Sequence, residues 1–136
     1  MTKAWRFKAL LPFGLVLLLW IVCPAVSYAE CWREFLGGFY LDLDSVKDTP
    51  NGMVYRTKRY DAENRHSSRR TGFFYQRHRV PRGGGNFYEQ VQVYDWYSDK
   101  YLPWVTTSEL TPDKYIELRF LIMELFHREG RTGWPG

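Results

Sequence analysis

Alternating hydrophobic and polar positions recur along the chain after residue 37 and predict β-strands. In segment 38–44, Phe39, Leu41 and Leu43 lie on one side of an extended chain, with tyrosine and aspartate on the other. Four more segments have extended patterns rich in β-branched and aromatic residues and are predicted as strands: 53–60, 70–80, 87–97 and 101–105. Pro103 makes the last of these an edge-like strand, because proline lacks the backbone donor that a central strand needs.

Two clusters of turn-forming residues separate these strands. Residues 48–52 read Asp-Thr-Pro-Asn-Gly, a composition that favours a tight turn and predicts a hairpin. Three glycines at 83–85 match no nucleotide-binding loop, because no Lys-Ser/Thr pair follows them and the next segment is a strand. We therefore predict a second hairpin turn at this position.

The hydrophobic period changes to that of a helix after residue 110. Thr111 is a suitable N-cap, Pro112 suits the first helical position, and Asp113 suits the positive end of the helix dipole. Apolar residues are so dense between 115 and 126 that we expect the helix to be largely buried against the sheet, ending at Gly130. Strands followed by a helix predict an α+β fold: an antiparallel β-sheet of about five strands with one C-terminal α-helix packed on it.

The first 29 residues have the order of a secretory signal peptide. Lys3, Arg6 and Lys8 precede a thirteen-residue apolar run over 10–22, and a small-x-small site ends at Ala29. A helix of that run would be about 20 Å long, shorter than the roughly 30 Å of a bilayer core, which argues against an uncleaved anchor. We expect 1–29 to be cleaved and 30–136 to form a single exported domain in the periplasm or at the cell surface.

Cleavage changes both the charge and the cysteine content of the chain. Three basic residues are removed, which leaves 16 Lys and Arg against 15 Asp and Glu, so we expect no nucleic-acid partner. Cys23 also leaves, and Cys31 remains near the new N-terminus without an internal partner. Cys31 is then either a free thiol on a frayed terminus or a site for an intermolecular disulfide.

Positive charge is concentrated in segment 56–82. This segment carries nine Lys and Arg against two acidic residues, interleaved with aromatic residues. Such a face could bind a polyanion such as an acidic polysaccharide, lipid headgroups or, although the nearly neutral total charge argues against it, nucleic acid. It could also be a solvated face of two neighbouring strands. The candidate ligand-binding residues are Arg56, Lys58, Arg59, Arg69, Arg70, Arg77, Arg79 and Tyr75.

Catalytic and metal-binding motifs are weak in this sequence. The three histidines, His66, His78 and His127, do not have metal-type spacing, and no nucleophile motif occurs. Asp42 and Asp44 share one strand face, as paired catalytic carboxylates could, but solvent-facing acidic residues have the same pattern. We therefore expect no catalytic residue, metal or cofactor. A cleft that joined His66, His78 and one of these aspartates would favour an enzyme.

Two segments resemble the surface-adhesin protein E-like domain of bacterial envelopes. The first is Phe39–Val46 followed by Met53–Lys58, and the second is Trp104–Glu109 ahead of the last helix. The resemblance implies an antiparallel sheet with a packed helix in an envelope-associated protein. The family's common cysteine pair has no counterpart here, since Cys31 has no partner after cleavage.

These observations lead to three hypotheses about function. The first is an exported cell-envelope binding or structural module, whose partner is an envelope or extracellular protein or an acidic polymer. The second is a small envelope assembly subunit without a ligand, which could form a homodimer. The third is an enzyme, which rests only on scattered histidines and aspartates.

Overall fold

Seven antiparallel strands and one helix make up the fold in a computed structural model that describes residues 30–131. The predicted signal peptide lies outside the described residues. The elements are β1 (Trp32–Leu36), β2 (Phe39–Thr49), β3 (Gly52–Tyr60), β4 (Phe73–Gly83), β5 (Asn86–Asp95), β6 (Lys100–Tyr101), β7 (Val105–Leu110) and α1 (Pro112–Arg128). The predicted α+β fold is confirmed, with more strands than expected.

The strands follow one another across the sheet in the order β1-β2-β3-β4-β5, and both β6 and β7 pair with β5. Both predicted hairpin turns are present. Gly52 has a φ of 144°, and Gly84 and Gly85 have φ values of 58° and 89°. Gly84 and Gly85 form a two-residue turn between the paired residues Gly83 and Asn86. A turn with two positive φ angles matches the twist of the strands that it joins, which explains why both positions are glycine.

Three differences from the predicted sheet have local causes. Strand β1 contains charged residues and is too short to show a clear alternation. Strand β2 continues to Thr49 through an irregularity between Asp42 and Lys47, which interrupts its pattern. The predicted strand 101–105 is wrong: residues 102–104 around Pro103 belong to no strand, Tyr101 ends β6, and Val105 begins β7. Strand β7 continues to Leu110 through the polar sequence Thr-Thr-Ser-Glu, which carries no hydrophobic signal.

The helix begins as predicted, with the Thr111 side chain accepting a hydrogen bond from the Lys114 amide. It packs across one end of one sheet face. Four of its residues are buried, namely Tyr115, Ile122, Leu125 and Phe126. The expectation that the helix is largely buried is wrong, because Ile116, Phe120 and Met123 lie on its outer side and are exposed. Among residues 30–131, a single layer of sheet contacts the helix, so one side of the helix is covered and the other is not.

Beneath the helix, the core consists of apolar residues from β2 to β5. Its members on the sheet are Leu41, Leu43, Val46, Met53, Tyr55, Val80 and Phe87. Cys31 also belongs to the core with 1% of its surface exposed, so the expected frayed terminus is wrong. Its amide donates to Asp42 Oδ1 at 3.0 Å, and its carbonyl accepts from Leu43 at 2.8 Å. Cys31 is disulfide-bonded, and its partner lies outside residues 30–131.

Within 30–131, no helix has the length and apolar character needed to cross a bilayer.

Candidate functional site

The sheet face opposite the helix carries a continuous group of aromatic and cationic side chains. Strand register places Arg56 beside Arg77 and Lys58 beside Tyr75, and alternation directs all four away from the helix. We call this surface the aromatic face. Its main members are Trp32, Tyr40, Arg56, Lys58, Tyr75, Arg77, Arg79, Tyr94, Trp96, Tyr101 and Trp104.

The rings of the aromatic face contact one another in a chain that runs across the sheet. Ring centroids are 5.6 Å apart for Trp32 and Tyr75 and again 5.6 Å for Tyr75 and Trp96. The chain continues to Tyr94 at 5.0 Å and to Tyr101 at 5.1 Å. All four contacts are tilted or edge-to-face, which is a favoured geometry for aromatic pairs. The chain therefore forms a ridged, preordered apolar platform.

Cations lie over these rings. Lys58 Nζ is 4.7 Å from the centroid of Trp32 and 5.7 Å from that of Tyr40. The guanidinium of Arg77 lies 3.7 Å from the ring centroid of Tyr101. Partial burial lowers the pKa of Lys58, although nearby carboxylates oppose that shift. These contacts fix the positions of the charges on the platform.

Part of the positive charge is neutralised by neighbouring carboxylates. Arg56 donates to Glu30 Oε1 at 2.7 Å and to Asp42 Oδ2 at 2.9 Å. Arg79 instead donates to the neutral Gln90 Oε1 at 2.5 Å and lies 4.1 Å from the ring centroid of Trp104. The face therefore has a modest, spaced positive charge.

Five of the eight predicted ligand-binding residues lie together on the aromatic face: Arg56, Lys58, Tyr75, Arg77 and Arg79. The other three lie elsewhere. Arg59 follows Lys58 in the same strand and so points to the helix side of the sheet. Arg69 and Arg70 lie in the loop 61–72, where the Arg69 guanidinium is 5.2 Å from the ring centroid of Tyr97.

Sequence reasoning missed several aromatic members of this face because they lie outside segment 56–82. Trp32 comes from the unpredicted strand β1, and Trp104 comes from the segment before β7. Tyr94 and Trp96 share an alternation phase, so the pattern could place them on one side of β5. Only the strand register brings that side next to Tyr75.

A pocket of about 420 Å³ lies on the other face of the sheet, beside the helix. Strands β2 to β5 and β7 supply its floor, and the loop 61–72 contributes two residues. Its lining residues are Phe39, Arg59, Asn64, His66, Phe74, Gln76, His78, Glu89, Val91, Val93 and Thr107. It thus combines apolar side chains with cationic, anionic and amide groups.

A row of polar side chains crosses the sheet at the helix end of the pocket. The ring Nε2 of His78 lies 2.7 Å from Thr57 Oγ1, and its Nδ1 lies 3.9 Å from Glu89 Oε1. Ser108 Oγ donates to Glu89 Oε2 at 3.2 Å. The neighbouring His78 is the main cause that lowers the pKa of Glu89, and the Ser108 hydroxyl adds to it against the effect of burial. Burial, together with the charge of Glu89, raises the pKa of Tyr55, whose ring stacks on His78.

His66 and His78 both line this pocket, but neither Asp42 nor Asp44 does. Asp42 is not the solvent-facing residue that alternation suggested, because β1 covers it and leaves it 3% exposed. Asp44 forms a separate ion pair with Arg131 at 2.8 Å. Across the described part of the chain, no group of three or more His, Cys, Asp or Glu could hold a metal ion.

Comparisons with protein family models, with curated proteins and with solved structures found no match to this chain. The resemblance to surface-adhesin protein E-like domains therefore stays a hypothesis.

Proposed function

We propose that this chain is an exported envelope module that binds an acidic polysaccharide on its aromatic face. The observation that carries the proposal is a sheet face that no other described element covers, on which aromatic rings and cations are packed together. The uncovered face of an antiparallel sheet is usually polar, because it contacts water. Contiguous apolar surface in that position is typical of an interaction site.

The spacing of charge favours a polysaccharide over a nucleic acid. The charge of Arg56 is offset by Glu30 and Asp42, whereas Lys58 and Arg77 form no ion pair within the described residues. Nucleic acids carry a phosphate on every nucleotide and are bound by densely basic grooves. A glycan with spaced carboxylates matches fewer cations, and the apolar face of a sugar ring can lie on an aromatic ring.

The proposal has two further parts: the chain is exported, and it binds a ligand rather than catalysing a reaction. Support for export comes from the leader-like order of residues 1–29 and from the resemblance to envelope-associated adhesin domains. Support for binding rather than catalysis comes from the burial of Thr57. Its hydroxyl contacts His78, as a nucleophile contacts its general base, but Thr57 is only 2% exposed. A nucleophile must reach its substrate, and this hydroxyl is covered.

Tryptophan fluorescence provides a direct test of the proposed polysaccharide site, because Trp32, Trp96 and Trp104 all lie on the aromatic face. We expect polygalacturonate to change the emission of the mature protein and neutral dextran of similar length to have little effect. The double variant Arg77→Gln/Arg79→Gln should bind polygalacturonate about tenfold or more weakly and show a smaller salt dependence.

Arg128→Gln is the matched control, since it makes the same substitution in the last turn of the helix, away from the aromatic face. Equal weakening by this control would contradict the proposed site. Tighter binding of single-stranded DNA than of polygalacturonate at the same salt concentration would contradict the proposed ligand class. Fractionation of producing cells tests export, for which we expect an envelope or secreted protein that begins at Glu30.

A ligand-free assembly subunit is the second candidate. The observation in its favour is the exposed apolar stripe of Ile116, Phe120 and Met123 on α1. Light scattering of the mature protein distinguishes the two, since a dimer that Phe120→Asp converts to monomer would support the assembly role.

A further inference from the structure

His78 is buried at one end of the pocket, and one of its ring nitrogens makes no hydrogen bond within the described residues. The residue is 8% exposed, and its Nδ1 is buried with no hydrogen bond to any described residue. Its Nε2 contacts Thr57, and its ring stacks on Tyr55 with centroids 4.7 Å apart, so the ring is fixed in place. Buried polar atoms are normally paired. This nitrogen lies 3.9 Å from Glu89 Oε1, and both residues line the pocket.

Glu89 places negative charge at the same end of the pocket. No Lys or Arg within 30–131 pairs with it, and the nearest basic group is His78 Nδ1 at 3.9 Å, beyond hydrogen-bond distance. Ser108 uses Oε2, which leaves Oε1 as the oxygen nearer to the imidazole. A carboxylate oxygen without a Lys or Arg partner is a suitable acceptor for an ammonium group.

Arg59 places positive charge at the other end of the pocket. Its guanidinium lies between two rings, with centroids at 5.1 Å for Phe39 and 4.8 Å for Phe74. Its only ion pair among the described residues is with Asp61 at 3.6 Å, where both side chains are more than one-third exposed. Such surface pairs contribute little, so Arg59 can exchange this contact for a ligand carboxylate.

The two charges are separated along the strands. Arg59 on β3 pairs with Phe74 on β4. The β4–β5 register pairs residue 76 with residue 93, so residue 95 of β5 lies level with Phe74 and with Arg59. Residue 95 is six residues along β5 from Glu89. At about 3.4 Å per residue this is roughly 20 Å along the strands, and two strand spacings of about 4.8 Å between β3 and β5 bring the separation of the backbone positions to about 22 Å. Val91, Val93 and the Gln76 amide line the pocket between the ends.

We propose that this pocket binds a short peptide with free termini, whose ammonium group contacts Glu89 and whose carboxylate contacts Arg59. A peptide of three residues spans about 10 Å, and the long side chains of Arg59 and Glu89 cover the remaining distance. An apolar central side chain packs on Val91 and Val93. The cavity of about 420 Å³ is within the size range of small-ligand sites. The site is independent of the aromatic face, which lies on the opposite side of the sheet.

The tripeptide Ala-Val-Ala provides the test, in three forms: with free termini, with an acetylated N-terminus and with an amidated C-terminus. We expect the free form to shift backbone amide resonances of pocket-lining residues at millimolar concentration in a two-dimensional NMR titration. Each modification removes one charge-assisted contact and should weaken binding about 10- to 100-fold. Equal binding of the three forms, or no shift with any of them, would overturn the proposal.

Two variants assign the ends of the peptide. In Glu89→Gln the free and acetylated forms should bind equally, and in Arg59→Gln the free and amidated forms should bind equally. Glu109→Gln on β7 and Arg128→Gln in the last turn of α1 are the matched controls and should keep both differences. An acetylation penalty that persists in Glu89→Gln would refute the assigned orientation. If a variant does not fold, the titration of the wild-type protein with the three peptide forms still tests whether both termini are recognised.

Discussion

The contact that anchors the helix to the sheet provides a quantitative test of the fold. The Tyr115 hydroxyl donates to Asp48 Oδ1 at 3.0 Å, and Arg119 contacts the other oxygen of the same carboxylate. Tyr115 and Asp48 are both 6% exposed. Tyr115→Phe keeps the ring, which stacks on Phe87 at 3.7 Å between centroids, and removes only the donor. A hydrogen bond to a charged group contributes about 1.5–3 kcal/mol, so we expect this loss in the free energy of unfolding at neutral pH.

The same contact predicts a pH dependence. Burial and the hydrogen bond to Asp48 raise the pKa of Tyr115 from 10.0 to about 12. A raised pKa means that this stabilisation is complete below pH 10 and is lost as the pH rises towards 12, because only the unfolded chain ionises freely in that window. At pH 11 the wild-type protein should lose about 1.4 kcal/mol that Tyr115→Phe does not lose.

Urea unfolding at pH 7 and pH 11, monitored by circular dichroism, measures both effects. The control is Tyr60→Phe, since Tyr60 is 62% exposed and this change should alter stability by less than about 0.5 kcal/mol. A Tyr115→Phe loss as small as that of the control, or a difference from wild type that does not shrink at pH 11, would refute the reasoning.

Three further changes test other parts of the structure. Gly52→Ala should cost more than about 2 kcal/mol in a urea titration, because the positive φ strains alanine and its Cβ would clash with the Val80 carbonyl. Ile122→Ala should cost about 2–5 kcal/mol, whereas Phe120→Ala, 62% exposed, should cost far less; equal losses would contradict the helix orientation. The pKa of Glu89 is lowered in the folded protein, so its ionised form stabilises the fold at pH values above its ordinary pKa of 4.5, and this stabilisation is lost as the pH falls through the lowered pKa. The free energy of unfolding of Glu89→Gln should therefore decrease less between pH 5 and pH 3 than that of the wild-type protein.

Local patterns in the sequence were sufficient to predict the hairpins and the helix. Gly52 and Gly84 are needed for positive φ angles, and Thr111 caps the helix, so each signal acts within a few residues. Burial of the helix was overestimated because apolar density does not reveal how many layers surround a helix. Phe120 is exposed for that reason.

The candidate sites depend on contacts between distant parts of the chain, which local patterns do not contain. Alternation separates Lys58 from Arg59, so a cluster counted along the sequence divides between two faces. The pocket depends on the pairing of five strands and on the loop 61–72, which brings His66 near Asp95 at 3.6 Å. Asp42 appeared solvent-facing because strand β1, which covers it, was not predicted.

Cys31 links the fold to the predicted processing of the chain. The residue is disulfide-bonded in the full chain, and the sequence contains one other cysteine, Cys23, which cleavage after Ala29 would remove. Intact mass spectrometry of the exported protein without reduction tests this processing. We expect a mass that corresponds to a chain beginning at Glu30, and a secreted chain that keeps Met1 would refute the predicted cleavage. A doubled mass that reduction halves would identify an intermolecular disulfide at Cys31.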